Sequence, residues 1–138
     1  MIILDTNVIS ALMNDPLEGR VAAWVDRQPQ KSIWTTSITV LEIQFELESM
    51  PAGKRRTGLS PVFEMIIEEI ESRIAVFDEE AARVTASLMA SRQKKGTVGD
   101  LRDSMIAGVV LARKASLATR NTARFSDISA TVVNPWTA

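Results

Sequence analysis

MIILDTNVIS, residues 1–10, is the stretch on which the fold turns. The apolar run Ile2-Ile3-Leu4 leads directly into Asp5-Thr6-Asn7, and β-branched residues closed by turn-forming polar ones read as a strand buried in a parallel sheet. Ligands of open α/β sheets bind just outside the carboxyl ends of such strands, which makes Asp5 the first candidate for chemistry. Asp5 is equally suited to cap the following helix by accepting backbone N–H bonds.

Outward from that strand the chain alternates. Residues 8–13 have room for a short helix before Asn14-Asp15-Pro16, and a second helix follows Pro16 with Val21, Trp24 and Val25 on one face. Residues 32–36 (SIWTT) are rich in β-formers and predict a second strand. Residues 39–50 suit an amphipathic helix, with Ile38, Leu41 and Phe45 on one face and Val40, Ile43 and Leu47 broadening it. Residues 53–60 read as a polar, basic connection, and Ser60-Pro61 as the cap and first position of the next helix. A third strand at 74–77, a helix from the Asp78 cap to about Lys95 closed by Gly96, a helix opening near Asp100 or Leu101, and strands at 117–119 and 131–133 complete the pattern. The expectation is a three-layer α/β sandwich in one domain across residues 1–138, with a central parallel sheet of four or five strands and helices on both faces.

Composition limits the chemistry. The chain has 138 residues, of which 46% are hydrophobic, so a core can form without disulfides or structural metal. It contains no cysteine and no histidine. Thiolate nucleophiles, imidazole acid–base pairs, Ser-His-Asp triads and the usual zinc sites are therefore excluded. Catalysis must rest on carboxylates, hydroxyls, Lys, Arg or a hard metal. The N-terminal run lacks a basic flank, and the apolar run at 105–112 is too short to span a bilayer, so a cytoplasmic protein is expected. A net charge of -1 argues against a strongly basic, nonspecific polyanion binder. Trp24 falls on an apolar helical stripe and Trp34 inside a strand, where core or interface packing explains them better than base stacking.

Two more acids stand out by position. Glu42 and Asp103 fall in the first turns of predicted helices, and if those helix starts face the same strand-end edge as Asp5, three carboxylates converge on one cleft. Each also has a structural reading: Thr39-x-x-Glu42 has the form of a capping box, and Asp100-x-x-Asp103 approximates one.

The surrounding motifs, DTNVIS at 5–10, TSITVLEI at 36–43, DSMIAGVVLA at 103–112 and LATRN at 117–121, resemble those of the PIN-domain family, and most of all its VapC-like toxins and FitB-like branch. The likeness extends to the closing Asn134-Pro135-Trp136. It implies that Asp5, Glu42 and Asp103 are metal-binding and catalytic acids, that Thr6, Thr119 and Asn121 flank the site, and that Mg²⁺ or Mn²⁺ supports endonucleolytic cleavage of RNA. It further implies a homodimer silenced by an antitoxin, itself DNA-binding. Acids without His or Cys suit such hard cations.

Many members carry a fourth acid after the TRN-like turn, where this chain has Asn121 and Arg124. Asp100 can serve as an additional ligand or as a cap, and Asp127 is a weaker substitute. Arg120 and Arg124 can hold a phosphate or lie in solvent. The missing acid leaves open a FitB-like partner of a DNA-binding protein with weak or no catalysis. A small-phosphate hydrolase would want an acid at position 7, where the chain has Asn7.

Overall fold

The computed structural model describes residues 1–14 and 19–138. The break expected at Asp15-Pro16 lies outside the described residues. Five parallel strands form one sheet in the order β3-β2-β1-β4-β5. They are β1 (Ile2–Leu4), β2 (Ile33–Thr36), β3 (Ile74–Ala75), β4 (Ser116–Ala118) and β5 (Val132–Val133). The N-terminal strand is thus the central one, with Ile3 opposite both Trp34 and Leu117.

Side chains alternate across a strand, so β1 feeds two cores. Leu4 packs with Val8, Ile9, Ile43, Leu47, Phe63 and Ile66 on one face. Ile3 packs with Ile106, Ala107, Val110 and Phe125 on the other. The first core is covered by helices α1 (Thr6–Met13), α2 (Gly19–Asp26), α3 (Ser37–Ser49) and α4 (Lys54–Glu69), and the second by α5 (Glu79–Lys94) and α6 (Leu101–Arg113). Each large side chain so buried contributes about 1.5–3 kcal/mol. The layered parallel architecture expected from the sequence is the one observed.

Several boundaries differ for local reasons. Helix α1 begins at Thr6 rather than Val8, because the Asp5 carboxylate accepts the Thr6 amide at 2.8 Å. Helix α3 begins at Ser37 rather than Thr39, because the Thr36 hydroxyl accepts the Thr39 amide at 3.1 Å and so is the cap. Its buried residues are Ile38, Ile43 and Leu47, whereas Leu41 and Phe45 are 56% and 64% exposed. The broader face is therefore the packed one.

The basic connection expected over residues 53–60 is helical. Helix α4 starts at Lys54 and carries Pro61 in its interior, so Pro61 is not a first-turn residue. Burial of Phe63 and Ile66 anchors the segment, and tertiary packing outweighs the backbone bond that an internal proline removes. Strand β3 stops at Ala75 because the Phe77 amide bonds to the Ser37 hydroxyl at 3.0 Å instead of continuing the ladder. A short 3-10 turn at Gln30–Ser32 precedes β2, which starts one residue later than expected. Asp78 caps α5, and Gly96 follows its end at a positive φ of 74°. Asp100 caps α6. No helix among the described residues is long and apolar enough to cross a membrane.

Candidate active site

All strands run in one direction, so β1, β2 and β4 deliver their ends to one edge of the sheet. Asp5 follows β1 directly, Thr36 ends β2 and Thr119 follows β4. Helix α6 runs back toward the start of β4, which brings its first turn, with Asp103, to the same rim.

Asp5 is only 3% exposed. Its Oδ1 accepts the Thr6 amide, and its Oδ2 accepts the Thr119 hydroxyl at 2.7 Å and the Asn7 side-chain amide at 3.4 Å. Asp5 therefore caps α1 and also presents a carboxylate held from two strands. Burial pushes its carboxyl above the ordinary value of 3.8. The bonds from Thr119 and Thr6 pull it back, and the negative charges of Asp103 and Glu42 push it up again. Asp5 thus feels the charge of both other acids, as a group at a shared rim does.

Glu42 lies in the second turn of α3, so the capping box predicted with Thr39 does not form. Its Oε1 instead accepts the Thr6 hydroxyl at 2.8 Å, and Thr6 Oγ1 is 3.1 Å from the Thr39 hydroxyl. Because the single proton of Thr6 points to Glu42, Thr39 donates to Thr6. The Thr36 hydroxyl in turn donates to Thr39 at 3.4 Å. A row of hydroxyls from β2 to α1 so fixes one oxygen of Glu42. The other lies 3.8 Å from the Arg102 guanidinium.

Asp103 sits in the first turn of α6, where the helix dipole favours a negative charge. It accepts from Arg124 at 3.1 Å. The side chains of Glu42 and Asp103 are each 19% exposed. Asp100 serves as the cap of α6, accepting the amides of Arg102 at 2.9 Å and Asp103 at 3.3 Å. Asp127, weighed from sequence as a substitute acid, is instead bound by Arg92, whose hydrogen bonds hold its carboxyl below the usual range.

The remaining flanking residues divide by role. Thr119 is at the site, and its hydroxyl also accepts the Asn121 amide at 3.1 Å. Asn121 contributes its backbone to that contact. The Arg120 guanidinium lies 5.0 Å over the Trp136 ring, while its amide donates to Asn7 at 3.1 Å. Trp24 and Trp34 pack into the two cores. Sequence reasoning gave no site role to Asn7 or Arg102, and gave Thr39 only that of a helix cap. Asn7 was visible within the quoted DTN motif, whereas Arg102 reaches Glu42, and Thr39 reaches Thr6, only through the tertiary fold.

Cavities flank the acids on either side. One of about 490 Å³ is lined by Asp103, Arg124, Asp100, Lys95 and Arg92. Another of about 560 Å³ is lined by Thr6, Glu42, Arg102 and Arg55. Hard oxygen donors near a basic margin suit a divalent cation and a phosphate-bearing ligand. Among the described residues no three acids are gathered into a finished metal cage. The donor chemistry therefore fits a hard cation, while Glu42 and Asp103 stand paired with arginines.

The comparisons with known proteins agree with this architecture. A PIN domain profile matches residues 2–130, and the chain belongs to the PIN-domain family. VapC and FitB toxins are among its homologues. It is 39% identical over 137 residues to VapC ribonuclease Y4jK of Sinorhizobium fredii, covering 99% of this chain and 98% of that protein. It is 31% identical to Toxin FitB of Neisseria gonorrhoeae, covering 99% of each. The structure of FitAB bound to an IR36 DNA fragment superposes with a TM-score of 0.89 at 31% identity, covering 99% of this chain and 96% of that one.

Proposed function

We propose that this chain, as a single PIN unit, is a Mg²⁺- or Mn²⁺-dependent endoribonuclease and the toxin of a toxin–antitoxin pair. The observation that carries the reading is Asp5, a carboxylate at the end of the central strand whose proton affinity is raised chiefly by burial and further by the charges of Asp103 and Glu42. Asp5 is held by the neutral donors of Thr6, Thr119 and Asn7, and a buried carboxylate that feels two other acids favours a positive counter-charge. The name of the VapC ribonuclease relative supports the same activity.

Asp5, Asp103 and Glu42 would hold the cation. When bound it supplies Lewis acidity and a water activated at neutral pH. The chain's own residues do the rest. Thr119 and the Thr6 amide fix the Asp5 carboxylate, and the Thr36-Thr39-Thr6 row fixes Glu42. Arg120 and Arg124 hold the scissile phosphate near the cation. Asp100 stays with the helix cap. The protein works in the cytoplasm as a homodimer, and its exposed Leu41, Phe45 and Met65 on α3 and α4 offer apolar area for the antitoxin.

Cleavage of a structured RNA with Mg²⁺ tests this. Wild-type protein cuts, chelator stops it, and Asp5→Asn and Asp103→Asn each lose at least about a hundredfold. Equal activity in all four samples rejects the assignment. A second reading keeps some support from Arg124, which stands near the place of the family's fourth acid and pairs with Asp103. In it the chain serves a DNA-binding partner and cuts weakly or not at all, a reading in keeping with its likeness to the structure of FitAB bound to an IR36 DNA fragment. That reading predicts weak or absent cleavage and a salt-sensitive DNA affinity that needs the partner.

A further inference from the structure

The chemistry proposed above makes no use of Arg92, a guanidinium near the end of α5 that is only 6% exposed. Its Nε donates to Asp127 Oδ2 at 2.8 Å and its Nη2 to Asp127 Oδ1 at 2.9 Å, a forked ion pair. Its Nη1 donates to the Ser104 hydroxyl at 3.0 Å, and Nη2 also reaches the Arg124 carbonyl at 3.2 Å. Gly99 closes over the group: a Cβ there would lie 3.1 Å from Nη1. One side chain so joins α5, the first turn of α6 and the 3-10 turn at Thr122–Phe125.

A staple between helices would need only the bond to Ser104. The bonds to Asp127 and to the Arg124 carbonyl instead fix the main chain from which Arg124 extends its own guanidinium to Asp103 at 3.1 Å. We propose that Arg92, neutralised by Asp127, is a positioning residue that sets Arg124 against Asp103. This rests on the reading of Asp103 as an acid of the active site. A buried arginine left with part of its bonds would be costly, so the brace holds as a unit. Lysine cannot replace it, because an ammonium lacks the planar fork.

The test compares Arg92→Lys, Asp127→Asn, Gly99→Ala and Arg124→Ala in the full chain. Asp127→Asn keeps the shape of the carboxylate, and Gly99→Ala crowds Nη1 while leaving the Arg92–Asp127 pair charged, and the thermal midpoint of each variant is measured beside its kcat. Each of the first three lowers kcat on RNA by about 10- to 100-fold. Added to Arg124→Ala, none lowers it further, because all act through Arg124. Independently of activity, the Arg124 Nε–H resonance in RNA-free protein moves toward that of a free arginine in Asp127→Asn. Wild-type kcat in the folded variants, full additivity with Arg124→Ala, or an unmoved Arg124 resonance overturns the proposal. If wild-type protein cuts no RNA, the ribonuclease reading falls, and the Arg124 resonance alone decides the brace.

Discussion

Asp5 is charged, buried and central, and those properties oppose one another. An acid whose folded-state value is raised above the ordinary 3.8 binds its proton more tightly folded than unfolded. The stability linked to it is therefore greatest at low pH, falls as pH climbs from about 3.8 through the raised value, and stays reduced above it. Asp5→Asn removes that penalty. We expect its thermal midpoint at pH 7 to exceed wild type by a few degrees, with the gap narrowing on acidification, even as cleavage is lost. A midpoint at or below wild type across the pH range would show that burial is not the dominant influence on Asp5. The place of Asp5 was legible in the sequence, because three apolar residues followed by Asp-Thr-Asn specify a strand end by local chemistry alone. Glu42 was legible as a candidate but not in its surroundings. Thr36, Ser37 and Thr39 can each cap a helix, and the choice of Thr36 moves Glu42 from the first turn to the second, away from any capping box.

At the scale of elements, one substitution read at two glycines separates helix propensity from helix packing. Gly58 lies on the exposed side of α4 with nothing within 4 Å of an added Cβ. Gly58→Ala stabilises the protein by about 0.5–1 kcal/mol. Gly108 lies where α6 crosses α5, and its Cβ would run into the Thr85 hydroxyl and approach the Ala81 carbonyl to 3.0 Å. The Thr85 hydroxyl is itself committed to that carbonyl at 2.7 Å. Gly108→Ala therefore destabilises by about 1–3 kcal/mol. Urea unfolding of both variants checks the pair, and shifts of the same sign would refute the packing described for α5 and α6. Helix α4 also shows where local signals mislead. Ser-Pro is a good start signal, yet the basic residues from Lys54 are themselves good helix formers, and Phe63 and Ile66 bury the segment against the sheet. The cap at Asp100 was legible because no competing cap stands beside it.

For the whole molecule, the sheet order decides when the site can exist. The alternation of strands and helices announced a parallel sheet, but the order β3-β2-β1-β4-β5 follows from long-range pairing that no local motif encodes. The Thr119–Asp5 bond spans 114 residues of chain, and contacts of that separation form late. Fragments ending before Ser116 should show neither native-like protection of the β1 amides in hydrogen exchange nor any cleavage. Protection of residues 2–5 in such a fragment would contradict the account. On the ribosome, the strand that carries Asp5 emerges well before β4, the neighbour that brings Thr119 to it. A nascent chain therefore carries Asp5 still bathed in water until residues 116–119 have been made, and its carboxylate meets the Thr119 hydroxyl only then.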